Sequence, residues 1–280
     1  MDAWVAYTPG SSTLVLDSPH SGTLYPADFA YVCPQYVLRR AEDTHVEHLY
    51  AFAPMLGATW IEARFARSYL DLNRHYDDID PVLLDAPWPE PLPVPEGDKI
   101  RLGKGLIWRL TDDGVAIYNR HLTVREVRSR IARCWQPYHA ALAHAVAQTH
   151  ARHGGCIHIN CHSMPSVAAS HATVWPGQAH PDFVVGDRDG SSAAPALAHR
   201  VCDLLNARGY RVAYNHPYKG VECVRRHGDP ARHCHSLQLE INRRLYMDEV
   251  TLRPHTGFAS LRQDLRALMQ QLQQLDPRDF

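Results

Sequence analysis

An excess of charge of either sign is missing from this chain: Lys and Arg number 29 against 30 Asp and Glu, a net charge of -1. No basic field is therefore present to hold a nucleic acid or an anionic membrane surface by charge alone. Long apolar runs are missing too. None approaches the roughly 18–20 residues that a membrane span needs, and Met1–Gly10 lacks the basic, apolar, small-residue order of an export signal. The seven cysteines (Cys33, Cys134, Cys156, Cys161, Cys202, Cys223 and Cys234) are odd in number and contain no C-x-x-C pair, which excludes the usual disulfide framework and zinc ribbon and suits a reducing compartment. No G-x-S-x-G elbow occurs, and the glycines of 186–192 (G-D-R-D-G-S-S) have no phosphate-loop Lys. These absences point to a soluble, cytoplasmic protein that acts on a small molecule, with neither nucleic acid nor membrane as partner.

What the chain has in quantity is histidine, 19 in 280 residues. Imidazole is the commonest metal ligand and titrates near neutrality, so histidine placement becomes the question. The β-branched and Leu-rich run Ser12–Asp17 predicts a buried strand that stops at S-P-H-S-G, leaving His20 just past its end. Apolar residues spaced three and four apart over Tyr36–Leu56 predict a helix, interrupted near Glu42–Thr44. Strands are expected at Ala58–Arg64, Tyr69–Leu72, Cys156–Cys161, Phe183–Val185, Tyr210–Tyr214 and Ser236–Ile241. Helices are expected at Arg120–His153, kinked or divided at Pro137, and at Ala193–Arg208 and Phe258–Leu275. The prolines of Pro81–Pro95 exclude helix and central strand and predict an extended surface loop, within a longer loop near 77–107. Strands alternating with helices give an α/β fold whose mixed, largely parallel sheet is covered on both faces, in one domain over 1–280, with ligands at strand ends.

Three groups of residues carry candidate chemistry. His20 and His162 follow or end strands, and Asp43 and Glu47 lie on the intervening helical stretch. Two histidines and one carboxylate suffice for a catalytic zinc that keeps a position for water, with either carboxylate as the third ligand. In A-R-F-A-R-S-Y-L-D-L-N-R the residues Arg64, Arg67, Asn73 and Arg74 suit a substrate carboxylate or a developing oxyanion, and Asp71 is a natural salt partner for one arginine. In S-L-Q-L-E-I-N, alternation sets Gln238, Glu240 and Asn242 opposite Leu237, Leu239 and Ile241. A carboxylate held among apolar residues there is a candidate base, against the plainer reading of a half-exposed edge strand. The glycines Gly220 and Gly228 mark a substrate-facing loop or an ordinary turn.

With those residues in place the chain resembles the N-formylglutamate amidohydrolase (deformylase) family from about Asp17 to Glu249. The matching stretches are D-S-P-H-S-G-T-L-Y-P (17–26), D-T-H-V-E-H-L-Y (43–50), A-R-F-A-R-S-Y-L-D-L-N-R (63–74), N-C-H-S-M-P-S (160–166), V-V-G-D-R-D-G-S-S (184–192), N-H-P-Y-K-G (215–220) and H-S-L-Q-L-E-I-N-R-R-L-Y-M-D-E (235–249). The resemblance implies a zinc hydrolase related to the carboxypeptidase-like exopeptidases, with a three-layer α/β/α core, that splits N-formyl-L-glutamate into glutamate and formate in histidine degradation. It implies one Zn2+ on His20, Asp43 (or Glu47) and His162, with Glu240 as general base and Arg64 or Arg67 at the oxyanion. Asn73, Arg74, Lys219 and Gly220 would hold the substrate. Asn160 departs from the family, which commonly has Asp there; if that Asp orients His162, the amide is a weaker version. His75 also departs, standing where the family often has Pro, and Lys219 and Glu222 add charge to a loop that is often more neutral. Two other readings fit the same residues: a hydrolase of another N-acyl amino acid or small acyl amide, and a non-catalytic protein that binds a metal or an amino acid.

Overall fold

The sheet is built around two long strands that occupy its centre. In a computed structural model describing residues 4–94, 98–170 and 175–280, seven strands run in the order β1-β3-β2-β4-β7-β5-β6. They are β1 (Val5–Thr8), β2 (Leu14–Ser18), β3 (Thr59–Ala63), β4 (Cys156–Met164), β5 (Phe183–Gly186), β6 (Val212–Tyr214) and β7 (Cys234–Asn242). The block β3-β2-β4-β7 is parallel throughout, and β5 and β6 are parallel to each other, while β1 on β3 and β5 on β7 are antiparallel. The sheet is therefore mixed and largely parallel. Both faces are covered, as such sheets require. One face packs under α3 (Val124–Arg130) and α4 (Gln136–His153), with Val127, Tyr138, Leu142 and Ala145 in its core. The other packs under α2 (Val46–Leu49), α5 (Pro195–Asn206) and α7 (Gly257–Gln273), with Leu49, Leu197, Leu205, Leu265 and Leu268 in its core.

Several local elements differ from the expectations. The stretch 36–56 is α1 (Gln35–Arg39), the short α2 and a single 3-10 turn at Ala53–Leu56, in place of one interrupted helix. Residues 40–45 are turn and bend, and His45 at φ 69° reverses the chain before α2. Tyr69–Leu72 is a buried loop and no strand. Among the described residues its one backbone tie outside the segment's own turns, Asp71 N to Leu106 O at 2.7 Å, joins it to another loop and forms no ladder. The N-terminal strand β1 and the helix α6 (Glu222–His227) within the 220–228 loop gave too short a pattern to be read.

Pro137 is absorbed and does not break its helix. The backbone between α3 and α4 widens into a π segment at Ile131–Trp135, which runs directly into α4 and gives the ring of Pro137, in the first turn of α4, room within a continuous helical path. A capping box, Thr123 with Glu126, starts α3. The proline-rich segment is not extended throughout: Pro81–Leu83 form a 3-10 turn capped by Asp80, with Leu83 and Leu84 buried, and only from Ala86 onward is it the largely exposed loop expected, residues 95–97 lying outside the described residues. No helix among the described residues is long and apolar enough to cross a membrane. All seven cysteines are free and buried.

Candidate metal centre and active site

Parallel strands align their C-terminal ends, and here that edge gathers three elements. His20 stands two residues beyond β2, His162 lies near the end of β4, and Glu240 lies beside it on β7, where the register pairs His162 with Glu240. Behind His20, Gly22 lets the loop lie flat on the chain leaving β3: a Cβ there would sit 2.4 Å from the Arg64 carbonyl carbon. The turn after α1 brings in Asp43, whose backbone N–H donates to His20 O at 3.0 Å. A continuous helix would have no N–H free for that bond. The irregularity at 40–45 is what joins the acid to the histidine loop.

His20, Asp43 and His162 form a buried group whose ligand atoms lie within 4.8 Å of one another. Asp43 Oδ2 is 2.9 Å from His162 Nδ1 and 3.6 Å from His20 Nδ1. The second distance is too long for a hydrogen bond, and His20 Nδ1 is a buried nitrogen with no hydrogen-bond partner among the described residues. Its other ring nitrogen, Nε2, is held by Asp71 Oδ1 at 2.7 Å, and His162 Nε2 is held by Asn160 Oδ1 at 2.7 Å. Both rings thus turn Nδ1 toward the same carboxylate oxygen, with outer partners on Nε2. That is the arrangement of a His, His, carboxylate metal site with its supporting shell, and the orphaned His20 nitrogen is the atom a cation would satisfy.

Charge around the group is balanced by arginine. Asp43 Oδ1 is 3.2 Å from Arg243 Nη2 and 3.6 Å from Arg67 Nη1. Burial alone would raise the Asp43 carboxyl, but His162, His20 and Arg67 outweigh it and hold it well below the usual carboxylate range. Asp71 accepts from Arg67 at 3.0 Å, from Trp108 Nε1 at 3.1 Å and from the Asn73 backbone at 3.0 Å. It serves as the salt partner expected for an arginine, and also as the outer support of His20. Arg67 stacks over Trp108 at 5.0 Å and keeps its Nε–H unpaired.

Glu240 lies in the middle of the sheet, 7% exposed, so the reading of a half-exposed edge strand does not apply. Its Oε1 accepts from Gln238 Nε2 at 2.9 Å. Burial, with the charge of Asp43, pushes its carboxyl up to about 7 against the opposing pull of His162, Arg67 and Arg243. A carboxyl raised by burial beside a group able to hold a metal is a candidate general base.

The remaining candidates divide. Asn73 lies inside the cluster, but its amide is engaged: Nδ2 donates to Gln238 Oε1 at 3.1 Å and Oδ1 accepts from the Cys223 backbone at 2.9 Å. Arg74 spends its guanidinium on the carbonyls of Lys104 (3.2 Å) and Asn73 (2.9 Å). Arg64 is half exposed, with Glu62 at 3.9 Å as its only ion pair among the described residues, and does not reach the cluster. Glu47 falls outside the metal group too. The His45 residue at φ 69° separates it from Asp43, and its ion-pair partner among the described residues is the exposed His48 side chain at 3.4 Å. Lys219 is exposed and paired with Asp189 at 2.8 Å. Gly220, at φ 96°, sits 3.6 Å from the Gln238 side chain, measured from where its Cβ would be. His75 lies against Tyr76, ring centroids 4.3 Å apart and tilted by 34°, and outside the His20, Asp43 and His162 group.

Three residues of the site escaped sequence reasoning. Arg243 anchors Asp43 and also donates to Ser163 Oγ and to the carbonyls of Arg40 and Glu42. Trp108 floors Arg67. Tyr218 stands close enough to Glu240 that, after burial, the carboxylate is the main influence pushing its phenol up. Each lies far along the chain from its partner, and no local pattern marks it.

The known proteins that this chain is similar to point to one family. The family model described as N-formylglutamate amidohydrolase matches residues 12–247. The chain is 31% identical over 278 residues to an N-formylglutamate deformylase of Pseudomonas aeruginosa, covering 97% of this chain and 95% of that protein. It is 30% identical to one from Pseudomonas putida, covering 98% and 96%. A crystal structure of N-formylglutamate amidohydrolase from Ralstonia eutropha superposes with a TM-score of 0.93 at 45% identity, over 99% of this chain and all of that one. A structure from Agrobacterium tumefaciens shares the fold, with a TM-score of 0.67 at 16% identity over 96% of this chain and 92% of that one.

Proposed function

The chain belongs to the N-formylglutamate amidohydrolase family, and from that premise we propose that it hydrolyses N-formyl-L-glutamate to L-glutamate and formate with one Zn2+ held by His20, Asp43 and His162. Such a reaction closes a histidine-degradation route, and a cytoplasmic site suits the seven free thiols. The observation that carries the proposal is the unpartnered His20 Nδ1 facing Asp43, with Glu240 in register beside His162. A zinc ion bound there supplies Lewis acidity toward the formyl carbonyl and toward water.

This chain's own groups do the rest. Glu240 takes a proton from the attacking water at its carboxylate and returns it to the leaving nitrogen, so that the C–N bond breaks with an amine departing. Arg67 offers its spare Nε–H to oxygen charge that develops at the carbonyl. Cations gather nearby: Arg74, Lys104 and Arg67 all act on Lys99, with Arg67 paired to Asp71 and Lys104 to Asp112. Guanidinium and ammonium groups of this kind suit a substrate carboxylate.

Formate release from N-formyl-L-glutamate by zinc-loaded protein, beside a chelated sample and a panel of N-acetyl and N-succinyl amino acids, tests the proposal. Release that is chelator-sensitive and confined to the formyl compound is expected. Zinc binding without turnover of any member would overturn it in favour of a binding protein.

A further inference from the structure

Behind the metal-binding group, on the same face of β4, lies a second buried cluster that the proposed reaction does not use. Asp17, fully buried at the end of β2, receives three hydrogen bonds. Its Oδ1 is 2.8 Å from His158 Nε2 and accepts from Asn160 Nδ2 at 2.8 Å, and its Oδ2 accepts from Tyr138 OH at 2.6 Å. His158 is held on its far side by Ser236 Oγ at 2.6 Å. Burial works to raise the Asp17 carboxyl, but His158, Tyr138 and Asn160 together bring it below its ordinary value, so the group is an anion.

An ionised carboxylate can only accept hydrogen bonds, and a side-chain amide has one donating and one accepting end. With Asp17 against it, Asn160 must present its NH2 to that carboxylate. Its carbonyl oxygen then points the other way, to His162 Nε2 at 2.7 Å. A carbonyl only accepts, so Nε2 is the donating nitrogen of the His162 ring, while Asn73 Nδ2, 3.3 Å from the same Nε2, is spent on its shorter bond to Gln238 Oε1; Nδ1, which here bonds the Asp43 carboxylate at 2.9 Å, is the nitrogen left to give its lone pair to a cation. Without Asp17, either end of the amide could face the ring, and only one of the two orientations leaves Nδ1 free for a metal.

We propose that Asp17 is a positioning residue for the metal-binding His162 and acts through the side-chain amide of Asn160. Asn160 is then a relay with a fixed polarity, in contrast to the weakened carboxylate expected from sequence. Replacing it by Asp would set two buried carboxylates 2.8 Å apart, where they can persist only by sharing a proton. Exchanging the two residues restores one acid and one amide in contact, with the acid directly on His162.

The inference rests on the metal-site reading above, and zinc affinity of the chelated full chain, measured by competition with a chromophoric chelator, separates the two. Absence of zinc binding by the unaltered protein would defeat that reading itself. Given binding, Asp17→Asn and Asn160→Asp are each expected to weaken it by about 10–100-fold. The exchanged pair D17N/N160D should return to within a few-fold of the unaltered protein, and Asp17→Asn should have no further effect in an Asn160→Ala background. Tyr138→Phe, which removes an Asp17 contact away from the amide, should leave zinc affinity unchanged. Should Asp17→Asn fail to fold alone, N160D against the exchanged pair carries the same comparison. Unchanged affinity in D17N, or an exchanged pair as weak as the two single losses multiplied, would overturn the proposal.

Discussion

Strands β4 and β7 lie side by side and are buried from end to end, yet their two faces are built of opposite chemistry. On one, Ile157, Ile159 and Cys161 meet Leu237, Leu239 and Ile241 and join the core under α5 and α7. On the other, His158, Asn160 and His162 stand against Ser236, Gln238 and Glu240. Backbone and burial are the same for both, and period-two alternation alone separates them. The apolar face is stabilised in proportion to the area it removes from water, roughly 25 cal/mol per Å². The polar face gains little from burial and would be costly unless each group found a partner, which is why its hydrogen bonds form chains. The lesson is a division of labour within single strands, in which one face holds the sheet together and the other carries the chemistry.

The largest effect that sharpens this contrast is expected from Glu240→Gln. Turnover should fall by about 10²–10⁴-fold with zinc affinity and melting temperature little changed, as steady-state formate release and calorimetry would show. Retained turnover would remove Glu240 from the reaction. On the opposite face of the same strand, Leu239→Ala should cost roughly 2–5 kcal/mol of stability in urea unfolding while the rate per folded molecule stays the same. A rate loss there would mean that the two faces are not separable.

Zinc itself should stabilise only through the polar face. At free zinc about 100 times its dissociation constant, the gain over the chelated protein is expected to be about 2.7 kcal/mol, and it should vanish in His162→Ala. A smaller effect concerns Glu42, a buried acid outside the β4–β7 face that hydrogen-bonds Tyr25 and Arg39. Burial pushes its carboxyl up to about 7 from 4.5, so between those values the folded state binds more protons than the unfolded one. Stability should therefore fall as pH rises from 4.5 through 7, on the order of 1 kcal/mol per pH unit for each such acid, and Glu42→Gln should remove its share of the slope and leave that of Glu240, which is raised in the same way. An unaltered slope in the variant would assign it to another group.

Legibility from sequence followed the range of the interaction. The strands that became β2, β3, β4, β5, β6 and β7 were visible because apolar composition and alternation are local. The face of His158, Asn160 and His162, and that of Glu240, came from the same rule. The error at Tyr69–Leu72 has a clear origin: its apolar residues are buried as in a strand, but Asp71 is committed to His20, Arg67, Trp108 and the Asn73 backbone. The helix expected through 42–47 failed for a similar reason. Asp43 is needed out of helical register to bond the His20 loop, and periodicity cannot register a contact with a residue two dozen positions away.

The sequence by itself determined the period of each strand, the absence of a charge field and the residue types able to hold a metal, since these depend on neighbours a few positions apart. Only the tertiary structure decided that Asp43 and not Glu47 meets the two histidines, that Arg67 and not Arg64 reaches Asp43, and that Asp17 fixes the Asn160 amide. Those choices depend on which loop ends the parallel sheet brings to one edge and on where buried polar groups must find partners, and neither is encoded within any single stretch of chain.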